Sequence, residues 1–444
     1  MGPPLFGTSL SMPDHHPSRT REPAPAVARA WPQRFSVIGL CALATFICFL
    51  DRVNISVAII PMAGELGWSL STQGLVLSAF FWGYLATQVL GGWLADRYGG
   101  ARVLGLAVVW WSAATLLTPP LASSLLLLFA ARVALGMGEG VAFPATYSII
   151  ARWIPLPERT RSIALLGSGI PLGTAAALLA SPWIVQHFGW PVAFYSFALL
   201  GFAWYAIWRA QVSDDPATDP RIDPGEREYI LSHRPPLEGG PPVSWRRLLA
   251  HRATWAVIIA HFANNWGIYV ILSWLPTYFV RELGVDVSQV GGYAMLPWLT
   301  MFVMNNVVGW IADALLNRGV GVTRVRKLMQ CVGFAGPAAF LLAVGDLSSA
   351  PQAALYIACA LGLASFSLAG YGVNHLDIGP RYAGVLLGFS NTAATIPGIV
   401  GVALTGWILE TTGSWSMVFG LAAGMYALGL ICWLAMATGE RIFE

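Results

Sequence analysis

The chain is 444 residues long, 56% hydrophobic and only 11% charged, with a mean hydropathy of +0.63. That balance excludes a soluble domain of this length and defines an integral membrane protein. The net charge of +3 reflects topology rather than a nucleic-acid-binding surface, because the basic residues gather in particular loops.

Residues 1–34 are rich in Pro and polar groups and lack the apolar core of a cleavable signal, which predicts a cytoplasmic tail and a retained first span. Apolar runs long enough to cross roughly 30 Å of hydrocarbon at about 1.5 Å per residue then recur twelve times. The predicted helices cover 35–60, 72–95, 102–120, 123–150, 161–186, 190–209, 253–280, 287–312, 327–345, 352–375, 382–409 and 414–437. Between the sixth and seventh, residues 210–252 hold 13 charged residues and seven prolines, including Pro235-Pro236 and Pro241-Pro242, and read as a cytoplasmic linker. An N-terminal six-helix bundle (35–209) and a C-terminal one (253–437) follow from this division, with 438–444 as a short cytoplasmic tail.

The two halves echo each other. Gly92-Trp93-Leu94-Ala95-Asp96 closes the second span, and Gly309-Trp310-Ile311-Ala312-Asp313 closes the eighth. Duplicated six-helix halves predict an all-α membrane protein of twelve transmembrane helices in two pseudo-symmetric bundles, with a solute site between them near the midplane. All but three of the 25 basic residues fall on one set of loops, the exceptions being Arg52 and Arg132 inside spans and Arg281 on an outer loop. Lys and Arg accumulate on the cytoplasmic side, so both termini are expected there. Cys41, Cys48, Cys331, Cys359 and Cys432 all lie within spans without metal-ligand spacing, and read as small packing residues.

Four ionisable residues sit inside spans: Asp51 and Arg52 in the first, Arg132 and Glu139 in the fourth. A charge at bilayer depth costs roughly 2.5–3.5 kcal/mol on insertion scales, so these groups are expected to face a protein interior or a hydrated path. Arg132 and Glu139 are nearly two helical turns apart on one face, too far to neutralise each other, and Asp51 and Arg52 are the available partners. Arg52 is expected to bind the anionic substrate with its planar fork. Asp51 and Glu139, with Arg132, are the expected proton-coupling groups, because burial and a nearby guanidinium push a carboxyl in opposite directions. Asp96 and Arg97 at a helix end, with Gly99-Gly100 permitting a tight turn to Arg102, suggest a charge contact that forms in one conformational state and breaks in another, with Asp313 as the weaker copy. His261 and His375 read as packing histidines.

Gly91-Gly92-Trp93-Leu94-Ala95-Asp96-Arg97-Tyr98-Gly99-Gly100-Ala101-Arg102 resembles the loop 2–3 motif of the major facilitator superfamily. Phe80-Phe81-Trp82-Gly83-Tyr84, Arg132 through Pro144, Trp153 through Arg161 and Asn374 through Gly384 look like its anion:cation symporter branch, which includes plastid phosphate and ascorbate transporters, sialic acid and vesicular glutamate carriers and bacterial sugar-acid symporters. The resemblance implies the major facilitator fold, a small anionic substrate, proton coupling with sodium as the alternative, no organic cofactor or metal, and a latch role for the loop motif. It also implies substrate contacts from Tyr84 and Asn391, with Tyr269 as a third. Leu77 and Asn264 stand where vesicular glutamate carriers have His and Arg, which disfavours that role, and Ile170 replaces a Gln of sugar-acid symporters.

Proton-coupled symport of a sugar acid or other carboxylate by a monomer in a lipid bilayer is the leading expectation. A sodium-coupled phosphate carrier and a non-transporting membrane sensor are the alternatives, and no nucleophile–base set suggests an enzyme. An Arg to Lys ratio of 24 to 1 favours a bacterial inner membrane over a plastid envelope.

Overall fold

The computed structural model describes residues 31–234 and 245–443. Most of the 1–34 tail, both proline pairs of the linker and Glu444 lie outside the described residues. Twelve helices are long and apolar enough to cross a membrane: Gln33–Leu66, Leu70–Tyr98, Gly100–Leu121, Leu125–Trp153, Leu156–Phe188, Trp190–Gln211, Arg252–Arg281, Val287–Asn317, Val322–Val344, Ala350–Ile378, Pro380–Thr412 and Trp415–Met436. They are spans one to twelve below, and among the described residues no strand accompanies them.

Several spans are longer than the apolar runs alone suggest, because a helix continues past the hydrocarbon until a residue stops it. Span one passes through Pro61 and ends only at Gly67, whose φ of 67° is left-handed. Span four is broken at Val141, between helices Leu125–Gly140 and Ala142–Trp153. Pro144 lacks the N–H that would bond the Gly140 carbonyl, which accounts for a break at Val141, two residues after Glu139. Span ten carries a π-helical turn at Leu368–Gly372, a widening of the kind that concentrates at functional positions.

Packing repeats between the halves. Spans one and five, two and four, and three and six pack together in the first half; seven and eleven, eight and ten, and nine and twelve are their counterparts in the second. Glycines set the closest approaches: a side chain at Gly136 of span four would overlap the Phe80 carbonyl of span two, so only Gly lets these helices touch there.

The halves meet through spans two and eleven, five and eight, and one and seven. A side chain at Gly406 would collide with the Leu70 carbonyl across this seam. Among the described residues three hydrogen bonds and no ion pair join the halves, all three between spans two and eleven: Ser71 N–H to Glu410 Oε2 at 2.7 Å, Gln88 Nε2 to Thr395 Oγ1 at 2.7 Å and Asn391 Nδ2 to Gln88 Oε1 at 2.7 Å. A seam held by so few directional bonds can open without stranding many polar groups.

The linker and the C-terminal segment each fasten to one half. Arg34 of span one pairs with Glu158 at 2.8 Å and with Glu226 of the linker at 3.0 Å. At the other end the backbone N–H groups of Ile442 and Phe443 both donate to the Ile378 carbonyl, at 2.8 and 2.9 Å.

Candidate functional site

The centre of the first half is a charge cluster shared by spans one and four. Arg52 and Glu139 form an ion pair whose side chains are 5% and 0% exposed. Arg52 donates from Nε at 2.9 Å and Nη2 at 2.8 Å, both to Glu139 Oε2. The same oxygen accepts the Cys48 thiol at 3.1 Å, while Oε1 is buried with no partner. One carboxylate oxygen thus carries all three donors, and the other carries none among the described residues.

Arg52 is also held by aromatic faces, with Phe49, Phe80 and Tyr84 centroids 4.4, 4.5 and 4.9 Å from its Cζ. A desolvated guanidinium over such rings gains about 2 kcal/mol or more. The close contact of spans two and four at Gly136 brings Phe80 and Tyr84 to this position.

Arg132 and Asp51 form the second part of the cluster. Each is 1% exposed. Asp51 has Glu139, Arg132 and the Trp111 indole as its charged and polar neighbours, yet neither of its oxygens has a hydrogen-bond partner among the described residues. Arg132 lies 5.9 Å from the Phe80 centroid, so both guanidiniums face that ring. Its Nε is buried without an acceptor, and no ion pair with Asp51 forms. A buried carboxyl and a buried guanidinium that do not pair with each other stand out, because buried polar groups are ordinarily hydrogen-bonded.

Arg52 and Arg132 line a cavity of about 10 Å³ with Ser56, Phe80, Phe81 and Ser273. That is room for roughly one water, so the centre is contracted here around its own ion pair. Tyr269 of span seven packs at a tilt against Phe81, ring centroids 4.6 Å apart, and accepts from Asn265 Nδ2 at 3.2 Å, which brings the second half to the edge of the cluster. Asn391 sits at the seam with its amide engaged by Gln88, one helical turn beyond Tyr84 along span two.

The loop-motif residues are apart from this centre. Asp96 and Asp313 are exposed and make no side-chain hydrogen bond among the described residues. Arg97 lies over Trp93 and Tyr98 at 5.5 and 5.7 Å. Arg102 pairs with Asp214 of the linker at 2.9 Å, and Asp214 Oδ1 accepts the Ala101 and Arg102 amides at the start of span three. The helix-capping carboxylate in this conformation is therefore Asp214, not Asp96.

Other participants escape a reading of the sequence. Cys48 is hydrogen-bonded to a buried carboxylate instead of merely packing, and the available signal was its position one turn before Arg52. In this conformation the Nε and Nη2 donors of Arg52 both go to Glu139, whereas Arg132 makes no ion pair or side-chain hydrogen bond among the described residues. His261 Nδ1 and His375 Nε2 converge on the Ser390 hydroxyl at 3.2 and 3.0 Å, a contact between spans seven, ten and eleven that no local pattern announces.

Two repeated six-helix halves, the first with a buried charge cluster at its centre, define the fold of a membrane transporter. The profile of the Major Facilitator Superfamily matches residues 41–402. A chloroplastic ascorbate transporter of Arabidopsis thaliana is 46% identical over 93% of this chain and 76% of its own length. A chloroplastic sodium-dependent phosphate transport protein of the same plant is 45% identical over 93% of this chain and 81% of its own. Among solved structures, the xylose transporter of E. coli in an inward-open conformation superposes with a TM-score of 0.73 over 91% of this chain and 96% of that one, at 14% identity. The chain belongs to the Major Facilitator Superfamily, and its relatives are multi-pass membrane transporters rather than enzymes.

Proposed function

We propose that the chain is a proton-coupled symporter of a small organic anion, a sugar acid or other carboxylate, working by alternating access of the two halves. The observation that carries this reading is the buried Arg52–Glu139 pair beside an unpaired Arg132 and Asp51. An ionised Glu139 occupies the fork of Arg52. Protonation at its open oxygen weakens that pair and frees the guanidinium for an anion, so proton and anion favour each other's binding through one shared group. Asp51, a buried carboxyl whose oxygens accept no hydrogen bond among the described residues, is the group proposed to take up a second proton. Tyr84, Tyr269 and Asn391 complete the anion site once the seam at Gln88 opens.

In the same reading Asp96, Arg97, Arg102 and Asp313 are the conformational latch; here Arg102 is engaged with Asp214 of the linker, while Asp96 and Asp313 are exposed and become partners only in another state. The protein acts as a monomer with both termini cytoplasmic. Its Arg-rich composition supports a bacterial inner membrane, whereas the names of the plant relatives support a plastid envelope.

The test is uptake into proteoliposomes of a panel of gluconate, ascorbate, succinate and phosphate, with and without an inward proton gradient. Accumulation that a protonophore collapses is the expected result; uptake indifferent to the gradient rejects proton coupling. A sodium-coupled phosphate carrier is the second reading, supported by the name of the sodium-dependent phosphate transport protein among its relatives, and sodium dependence at fixed pH separates the two.

A further inference from the structure

A second cavity lies outside the central cluster, where the linker-side ends of spans three and six meet. It measures about 400 Å³ and is lined by Arg102, Gly105, Leu106, Tyr205, Trp208 and Arg209, with Asp214 at its rim. Its chemistry changes with depth. Toward the bilayer centre the wall is Gly105, Tyr205 and Leu106, which is exposed although it stands within a span and therefore faces lipid. A side chain at Gly105 would press on Tyr205 and Trp208 at 3.1 Å, so Gly105 keeps this groove open.

At the linker-side rim stand two guanidiniums and one carboxylate. Asp214 is fully used: Oδ1 takes the Ala101 and Arg102 amides, and Oδ2 takes Arg102 Nε. Arg102 is 79% exposed and keeps its terminal amino groups without partners among the described residues. Arg209 makes neither an ion pair nor a hydrogen bond there. The rim thus has a surplus of positive charge directly above an apolar groove open to the membrane.

We propose that this cleft binds the phosphate of an anionic phospholipid from the linker-side leaflet, between Arg102 and Arg209, with an acyl chain lying along Leu106. Basic pockets between helices on the cytoplasmic side suit such head groups, and two forks can grip a phosphate from both sides. A zwitterionic lipid would bring its own cation to a rim that already has a surplus of cations. The occupied site ties span three to span six beside the turn that carries the Arg102–Asp214 contact.

The test is native mass spectrometry of the purified chain in micelles containing equimolar phosphatidylglycerol and phosphatidylcholine, with thermal unfolding in parallel. Phosphatidylglycerol is expected to be retained several-fold over phosphatidylcholine and to raise the unfolding temperature. Arg209→Gln is expected to remove most of that preference, while Arg318→Gln, the same charge loss on the linker side of the other half, leaves it intact. Equal retention of the two lipids, an equal effect of the two substitutions, or stabilisation by inorganic phosphate matching that of the lipid would each overturn the proposal.

Discussion

Glutamine at position 139 keeps the shape of the side chain and removes the charge that Arg52 now holds. The pair is almost wholly buried, and Arg52 places two donors on a single oxygen. Removing one partner from such a pair costs about 3–5 kcal/mol, because the other charge stays buried alone. Glu139→Gln without ligand is therefore expected to unfold at a lower temperature than wild type. Replacing both partners, Arg52→Met with Glu139→Met, should restore most of the loss. The stranded guanidinium also attracts an anion. If the ligand recovers the part of that cost typical of coupled sites, about 1–3 kcal/mol, its affinity rises about 5–150-fold at a pH where wild-type Glu139 is ionised. The dependence of affinity on pH should flatten at the same time. Calorimetric titration of wild type and variant at pH 5.5 and 8 with the transported member of the panel reads both quantities, and counterflow should persist while concentrative uptake disappears. Weaker binding in the variant at both pH values, or an unchanged pH dependence, would refute competition between Glu139 and substrate for Arg52.

Other residues of the site give sharper contrasts. Cys48→Ala deletes the third donor to Glu139 Oε2 and should displace the pH profile of uptake, whereas Cys48→Ser, which retains a donor, should stay near wild type. Gly136→Leu forces a side chain into the Phe80 carbonyl; overpacking of this kind costs about 1–3 kcal/mol or more, and a lowered unfolding temperature with loss of uptake is the expected readout. Gln88→Leu removes two of the three hydrogen bonds across the seam, so accessibility of a cysteine placed on the linker-side half of span eleven should increase in a thiol-labelling assay. Arg52→Ala should abolish anion binding in the same calorimetric titration.

The twelve spans and the duplicated halves were legible because hydrophobic length and the positions of charges are properties of the chain itself. The ends were less so: Pro61 lies inside span one, and its stop at Gly67 depends on a backbone conformation beyond the apolar run. That Arg52 and Glu139 lie inward followed from the cost of burying charge. Which oxygen they share did not, because the placement of span four against span two is set by glycine contacts such as Gly136 on Phe80. Asp214 shows the same limit. It caps span three from more than a hundred residues away, whereas Asp96, adjacent in sequence to the turn, makes no such bond. Cys48 looked like packing because a thiol reveals its partner only when the fold brings one.

The central claim is that anion and proton bind together through Arg52 and Glu139. Proton uptake by the purified protein on adding the transported anion, followed with a pH dye in weakly buffered solution near neutrality, measures this directly. The wild type should take up protons in proportion to the anion bound, and Glu139→Gln should take up fewer while binding more anion. Anion binding by the wild type with no proton uptake between pH 5.5 and 8 would contradict the account.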